Sequence, residues 1–219
     1  MNKLTVFLVT PLMAVFFSSC STFQKKGGEP DPPAYRPNDP NSVVVKVSMA
    51  NRAVYVMEGD RPLLIAATCG GRPETPTPLG THTVFRKLAD KRSNSYGFAI
   101  KNGEIRGSKR SNMPSGARYV GYPMPYWVEF HPGYGFHEGY VHPVPRSHGC
   151  LRLHKNVAPK FFALVKNGTK IHIANSQPED QTIGRDIPRP QDYKDPDPPN
   201  SFLISDKVFV QPVGKIFAD

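Results

Sequence analysis

The octapeptide RSHGCLRL, Arg146 to Leu153, sets a cysteine directly after a histidine and a glycine, with an arginine two residues on. Three more histidines, His131, His137 and His142, lie within the twenty residues before the cysteine. Such a cysteine has four possible roles: nucleophile, metal ligand, half of a disulfide, or small buried residue. A nucleophilic cysteine needs a histidine to take its proton or pair with its thiolate. It also needs backbone N–H groups aimed where an oxyanion forms, and a neighbour small enough for substrate to approach. Gly149 meets the last requirement, and the turn through Ser147, His148, Gly149 and Cys150 can aim amides into the space beside the sulfur. His148 is the nearest base in sequence, but side chains two apart on an extended chain rarely bond to one another. A histidine from a neighbouring strand is the more natural partner. His137, in the aromatic and glycine-rich GYGFHEG, is the first choice, with His142, His131 and His148 as alternatives.

The other roles are weaker on the sequence. No CxxC pair occurs and the histidines do not fall at zinc-ligand spacings, so no metal is expected. Cys69 ends an apolar run just before Gly70-Gly71, where a small residue suits a groove floor. A Cys69–Cys150 disulfide is the competing possibility in an oxidising compartment, and it would extinguish catalysis.

The elements that must position these groups are mostly strands. VVVKVSM and RAVYVME are rich in β-branched residues and are separated by an Ala-Asn turn, which predicts a hairpin. LLIAATC is a nearly continuous apolar run, as expected of a buried central strand. In TPTPLGTHTV, prolines on both sides of Thr77 and a glycine at position 80 force an extended and then sharply turned path. Residues 86–122 are polar and basic, with YGFAI the clearest strand there. MPYWVEFHPGYGFHEG packs aromatic side chains around glycines and predicts a strand pair or a groove wall. NVAPKFFALVKNG is the one convincing helix, with Asn156 as N-cap and Asn167-Gly168 closing it; TKIHIAN then returns as a strand.

SHGCLRL resembles the signature of the L,D-transpeptidases of bacterial cell-wall synthesis, the YkuD domain family. TPTPLGTHTV, MPYWVEF, GFHEG and VAPKFFALVKNGTKIHI resemble further segments of it, so the likeness covers about residues 43–174. The resemblance implies a β-sandwich with one short helix packed on it. It implies Cys150 as nucleophile and His137 as base, with Ser147, His148 and Gly149 shaping the site. The backbone amides of Gly149 and Cys150 become candidate oxyanion donors. Arg152, Tyr126 and Trp127 become candidate substrate contacts, and Arg152 is suited to a carboxylate. The family's usual spacer before the Ser is longer than the nine residues that follow His137, and His131, with fifteen, fits it better. The Phe-His-x-Gly context still favours His137. The implied reaction is acyl transfer from a tetrapeptide stem, through a thioester, to an amine, giving 3→3 cross-links. Water as acceptor would make a carboxypeptidase and a protein amine an anchoring enzyme; a wall-binding lipoprotein without turnover is the rival from another class. No cofactor is implied.

The rest of the chain frames this domain, expected over residues 42–175. Residues 1–19 have the layout of a secretory signal, and FSSC resembles a lipobox, so Cys20 is expected to be the lipidated N-terminus. Residues 20–41, rich in Pro, Gly and charge, read as a tether. Residues 176–219 begin Pro- and Asp-rich and end in FLISDKVFVQPVGKIFAD, which predicts one or two strands. The net charge is +10, and nine Lys or Arg against Asp90 and Glu104 concentrate it between Val84 and Tyr122. An exported chain rarely meets nucleic acid, so the expected partners are peptidoglycan stem peptides and a membrane reached through the anchor. The chain is expected to be a monomer in the cell envelope, in the periplasm, with the outer membrane favoured over the inner.

Overall fold

The computed structural model describes residues 29–210 and 214–218. The leader and Cys20 lie outside the described residues. The strands are β1 (Val43–Ser48), β2 (Ala53–Glu58), β3 (Arg61–Ala67), β4 (Gly80–Thr83), β5 (Arg86–Lys101), β6 (Glu104–Lys109), β7 (Arg118–His131), β8 (Tyr134–Glu138), β9 (Leu151–Leu153) and β10 (Lys170–Ala174). Two helices, α1 (Ala158–Leu164) and the single turn α2 (Asn200–Leu203), complete the regular structure with a few 3-10 turns. The strands form two five-stranded sheets, ordered β3-β2-β1-β10-β4 and β6-β5-β7-β8-β9. The fold is therefore the mostly β sandwich with one short packed helix that the family resemblance implied.

Alternation drives the packing. Val43, Val45 and Val47 of β1 face inward together with Ile171 and Ile173 of β10. They meet Val128, Phe130, Phe136, Leu151 and Leu153 of the second sheet and Phe161 and Leu164 of α1 in one apolar cluster. Burying side chains of this size stabilises by about 1.5–3 kcal/mol each before ordering costs. A second cluster forms on the outer face of the first sheet, where Tyr55, Met57, Ala67, Cys69 and Val141 gather with Ile187 of the C-terminal extension.

Several local expectations are corrected. LLIAATC forms an edge strand, β3, not a central one; its burial comes from α1 and from chain segments laid over it, such as Tyr35, whose N–H donates to Leu63 O at 2.9 Å. The first hairpin turns through Met49–Arg52, because Ser48 pairs with Ala53, and Arg52 takes the left-handed φ of 49°. Helix α1 starts later and ends earlier than expected. The Asn156 side chain does not cap it, since the Asn156 amide is turned toward His154 Nδ1 at 3.2 Å and Val157 is the N-cap. Its end is set by Lys87 of β5, whose Nζ donates to the carbonyls of Phe162 at 2.6 Å and Val165 at 2.5 Å. Residues 86–122 are mostly strand, with a bulge between Arg92 and Gly97. FLISDKVFV forms α2 and a 3-10 turn, with no strand among its described residues.

The flanking segments are docked. From Glu29 onward the expected tether lies on the domain: Lys155 pairs with Glu29 at 2.8 Å, Lys160 with Asp31 at 2.6 Å, and Ala34 is fully buried. The extension is held at one point by Asp180, which accepts from Tyr55 Oη at 2.7 Å and Ser48 Oγ at 2.8 Å. At another it is held by Arg92, which donates to the carbonyls of Leu203 and Ser205, both at 2.9 Å, and lies over the Phe209 ring.

Candidate active site

The second sheet presents the reactive groups on its outer face. Phe136, Leu151 and Leu153 are fully buried in the core, so alternation turns Gly135 and His137 of β8, and Cys150 and Arg152 at β9, to the opposite face. Strands β8 and β9 run parallel, with Phe136 beside Leu151 and His137 beside Arg152. Cys150 therefore falls beside Gly135, with His137 its diagonal neighbour on the same face. Trp127 and Glu129 of β7 share this face, since Val128 between them is core.

The sulfur sits over the β7–β8 hairpin. Cys150 Sγ lies 3.9 Å from the Gly133 carbonyl, and the Gly135 N–H points at it, favouring the thiolate. Burial outweighs that bond and raises the thiol above its ordinary value, although the charges of Arg152 and Lys91 oppose the rise. Burial also pushes His137 down to about 4, against the pull of its own Nδ1 bond to Glu138 O at 2.7 Å. With Nδ1–H donated to that carbonyl, Nε2 keeps a free lone pair. Both shifts favour the neutral forms, thiol and imidazole.

Four supports hold the loop bearing Cys150. Ser147 is buried, donates from Oγ to Cys150 O at 2.6 Å and accepts the Gly149 N–H at 3.0 Å. That second bond removes the Gly149 amide from the candidate oxyanion donors and leaves the Cys150 amide. Thr77 Oγ1 donates to Gly149 O at 2.9 Å and accepts from Gly71 N–H at 3.0 Å, which gives the TPTP segment its purpose. Gly149 has φ of 109°, and a Cβ there would lie 2.3 Å from the Tyr134 ring. Glu129 fixes the hairpin beneath by accepting from Gly133 N–H at 3.0 Å.

The other candidates take separate positions. His148 is exposed; its ring stacks on Tyr96 at 4.3 Å and bonds Arg72 at 2.8 Å, and burial with Arg72 lowers its basicity. His131 ends β7 against Tyr134 and His82, and His142 packs on Tyr193 of the extension. Trp127 is 2% exposed, so it does not line an open substrate surface; it lies over Gly135, which has no Cβ to obstruct it, and tilts against His137 at 6.2 Å. Tyr126, at φ of 56°, packs on Phe162 and lines a cavity shared with the extension. Arg152 exchanges both backbone hydrogen bonds with Cys69, tying the two sheets together, while its charge acts on Cys150, His137 and Tyr122.

Cys69 and Cys150 are both free thiols, which overturns the disulfide alternative; Cys69 is buried and its Sγ lies 3.2 Å from Val144 O. Among the described residues, no three His, Cys, Asp or Glu side chains converge in a metal-binding group. Sequence reasoning missed Gly133, Gly135 and Glu129 as the cradle beneath the thiol. The glycines of HPGYG were the available signal.

Residues 42–173 match the family model of the L,D-transpeptidase catalytic domain, YkuD. Similar solved structures include an L,D-transpeptidase from Stackebrandtia nassauensis, 20% identical, with 73% of this chain and 63% of that one covered at a TM-score of 0.46. L,D-transpeptidase 1 of Mycobacterium tuberculosis is 20% identical, with 61% and 60% covered at 0.43. The Enterococcus faecium L,D-transpeptidase is 22% identical, with 61% and 50% covered at 0.44. The chain thus spans between half and just under two thirds of the length of these structures. Comparison with the curated proteins found no match.

Proposed function

This chain belongs to the L,D-transpeptidase family, and we propose that it is a peptidoglycan L,D-transpeptidase that works by cysteine acyl transfer. The observation that carries the proposal is the common face of β8 and β9, on which Cys150 and a neutral, Nδ1-fixed His137 are diagonal neighbours. His137 Nε2 takes the thiol proton as sulfur attacks the carbonyl of the donor stem. The Cys150 amide donates to the oxyanion, and Arg152 attracts the stem's carboxylate. Collapse breaks the C–N bond; the leaving amine takes the proton from His137 and the acyl group remains as a thioester. An amine of a second stem then attacks, the new C–N bond forms, and sulfur leaves and regains its proton.

The neutral resting pair supports general-base activation over a preformed thiolate. Cys20, as lipid attachment, would hold the enzyme in the periplasm on the outer membrane, which metabolic labelling with a fatty-acid analogue tests against Cys20→Ala. For the reaction, the protein is incubated with disaccharide-tetrapeptide and followed by intact mass and product analysis, with Cys150→Ala as control. A Cys150-dependent adduct and a 3→3 dimer are expected. Adduct with hydrolysis alone would make it a carboxypeptidase, and neither adduct nor product would make it a non-catalytic wall binder.

A further inference from the structure

The charges around the nucleophile are one-sided. Arg152 and Lys91 both act on the Cys150 sulfur, against Glu129. Glu129 is already engaged, since it accepts from Gly133 N–H at 3.0 Å and from Trp127 Nε1–H at 3.3 Å. Two residues before the cysteine, His148 feels Arg72, Arg152 and Lys109, and each of them lowers its basicity. Arg152 thus acts on Cys150 and His148 alike, which puts the nucleophile and the exposed edge of its loop under the same positive charge.

These groups are held in place. Arg72 donates from a guanidinium nitrogen to His148 Nε2 at 2.8 Å, so the neutral ring carries its proton on Nδ1. Tyr96 of β5 stacks on that ring at 4.3 Å and 17°, and Lys109 of β6 lies over the Tyr96 ring at 5.8 Å. Tyr96 and Lys109 are directly paired across the two strands, which puts both on one face. The backbone fixes Arg72 from the other side: Gly71 bridges Ser147, and the Arg72 N–H donates to Ser147 O at 3.1 Å. The arginine keeps most of its five N–H donors for a further partner. Its contact with Glu74, at 3.7 Å between side chains 47% and 73% exposed, is of the kind that contributes little. The loop bearing Cys150 is therefore edged by a preorganised row of cations that the catalytic step itself does not use.

We propose that Arg72 and His148, with Lys109 behind them, select the donor by charge, favouring stem peptides whose second residue keeps a free α-carboxylate over stems amidated there. The inference rests on the acyl-transfer function proposed above and adds the substrate class to it. Chain advances by about 3.3–3.6 Å per residue, so the His148 backbone stands within about 7 Å of Cys150. The carbonyl attacked by Cys150 belongs to the third residue of the tetrapeptide, and the second residue lies one such step away. A carboxylate there accepts from the free N–H groups of Arg72 and from His148 Nδ1–H, both charge-assisted or strongly polarised bonds. An amide in its place brings no charge and loses that attraction. Lys109, one ring further out, attracts the same group without touching it.

The test follows Cys150 acylation by intact mass with two disaccharide-tetrapeptides that differ only in that carboxylate, free in one and amidated in the other. The free-carboxylate donor is expected to form adduct about tenfold faster or more at equal, subsaturating concentration. Arg72→Gln should bring the two rates within about twofold of each other by slowing the free-carboxylate donor, whereas Arg72→Lys, which keeps the charge, should retain part of the preference. Should loss of Arg72 displace the loop and slow both donors, Lys109→Gln, an exposed substitution on β6, is expected to lower the preference about threefold. Equal rates for the two donors in the parent protein, or a preference unchanged in both Arg72→Gln and Lys109→Gln, overturns the proposal. The same adducts separate the two claims. Adduct from both donors at equal rates sinks only the charge selection, whereas no adduct from either sinks the acyl-transfer function and the selection with it.

Discussion

Replacing Glu138 with glutamine should make the protein more stable at alkaline pH, an advantage that disappears as the pH falls. Burial, with Asp192 adding to it and Lys155 opposing, raises the Glu138 carboxyl from its ordinary 4.5 to about 7. A carboxyl raised on folding contributes stability that is present below its unfolded value and is lost as pH rises through its folded value. A shift of this size corresponds to roughly 3 kcal/mol, so the ionised side chain costs about that much above pH 8. His137 runs the other way. Its value falls from 6.5 to about 4, so the stability of its neutral form is lost as pH falls from 6.5 toward 4, again by about 3 kcal/mol. In the parent protein the two titrations offset each other across this range. Urea unfolding at several pH values reads the difference directly. Glu138→Gln should exceed the parent by about 2–3 kcal/mol near pH 8.5, with the gap closing near pH 4.5, and should itself lose roughly 3 kcal/mol between pH 6.5 and 4. A variant that is equal or weaker at alkaline pH, or whose difference from the parent does not change with pH, would refute the account of Glu138 as a carboxylate held in the wrong environment.

His137→Asn should slow Cys150 acylation by about 10²–10⁴-fold while leaving the fold intact, as single-turnover mass spectrometry and circular dichroism can determine. Alkylation of Cys150 by iodoacetamide should climb with pH to beyond the ordinary thiol value, because burial raises it; a rate already level below pH 6 would mean a thiolate–imidazolium pair instead. Ser147→Ala removes the bonds to Cys150 O and Gly149 N, and should cost about 1–3 kcal/mol in denaturant unfolding and lower the acylation rate. Gly149→Ala meets both the 109° φ and the Tyr134 ring, so adduct formation should fall at least tenfold, and Tyr134→Ala should restore only part of it because the backbone strain remains.

The sequence made the neighbouring placement of Cys150 and His137 and the apolar strands legible for the same reason: each depends on residues close together in the chain. Val43 to Ser48 alternates because one face is core, and SHGC is a local turn whose chemistry is carried by adjacent residues. The strands of 86–122 escaped because their pairing is carried by the backbone while most of their side chains are exposed or only partly buried, so no period of two appears. The short end of α1 escaped because Lys87, about seventy-five residues earlier, donates hydrogen bonds to its last carbonyls. Strand β3 looked central because an edge covered by other chain segments is as apolar as an interior strand. The oxyanion assignment was half legible. The turn was visible, but the capture of the Gly149 amide by Ser147 depends on a rotamer that the sequence does not display.

The least legible feature is the docking of the two flanking segments. Glu29 and Asp31 come from a stretch whose composition resembles a free linker, and Asp192 and Asp195 from one that resembles a disordered tail. Either segment could have packed without carboxylates if covering the domain were its whole purpose, as Ala34 and Ile187 do where they touch the core. Instead they enclose Glu138 in a poorly solvated, negatively charged space and leave Asp192 Oδ1 unpartnered. Groups that destabilise the resting protein are retained where binding uses them. Lys155 and Lys160 on the same wall are already paired with Glu29 and Asp31, so Glu138 and Asp192 have no lysine or arginine partner among the described residues. The stability gained in Glu138→Gln at alkaline pH measures this enclosure directly, and a variant no more stable than the parent there would mean that the docked segments leave Glu138 well solvated.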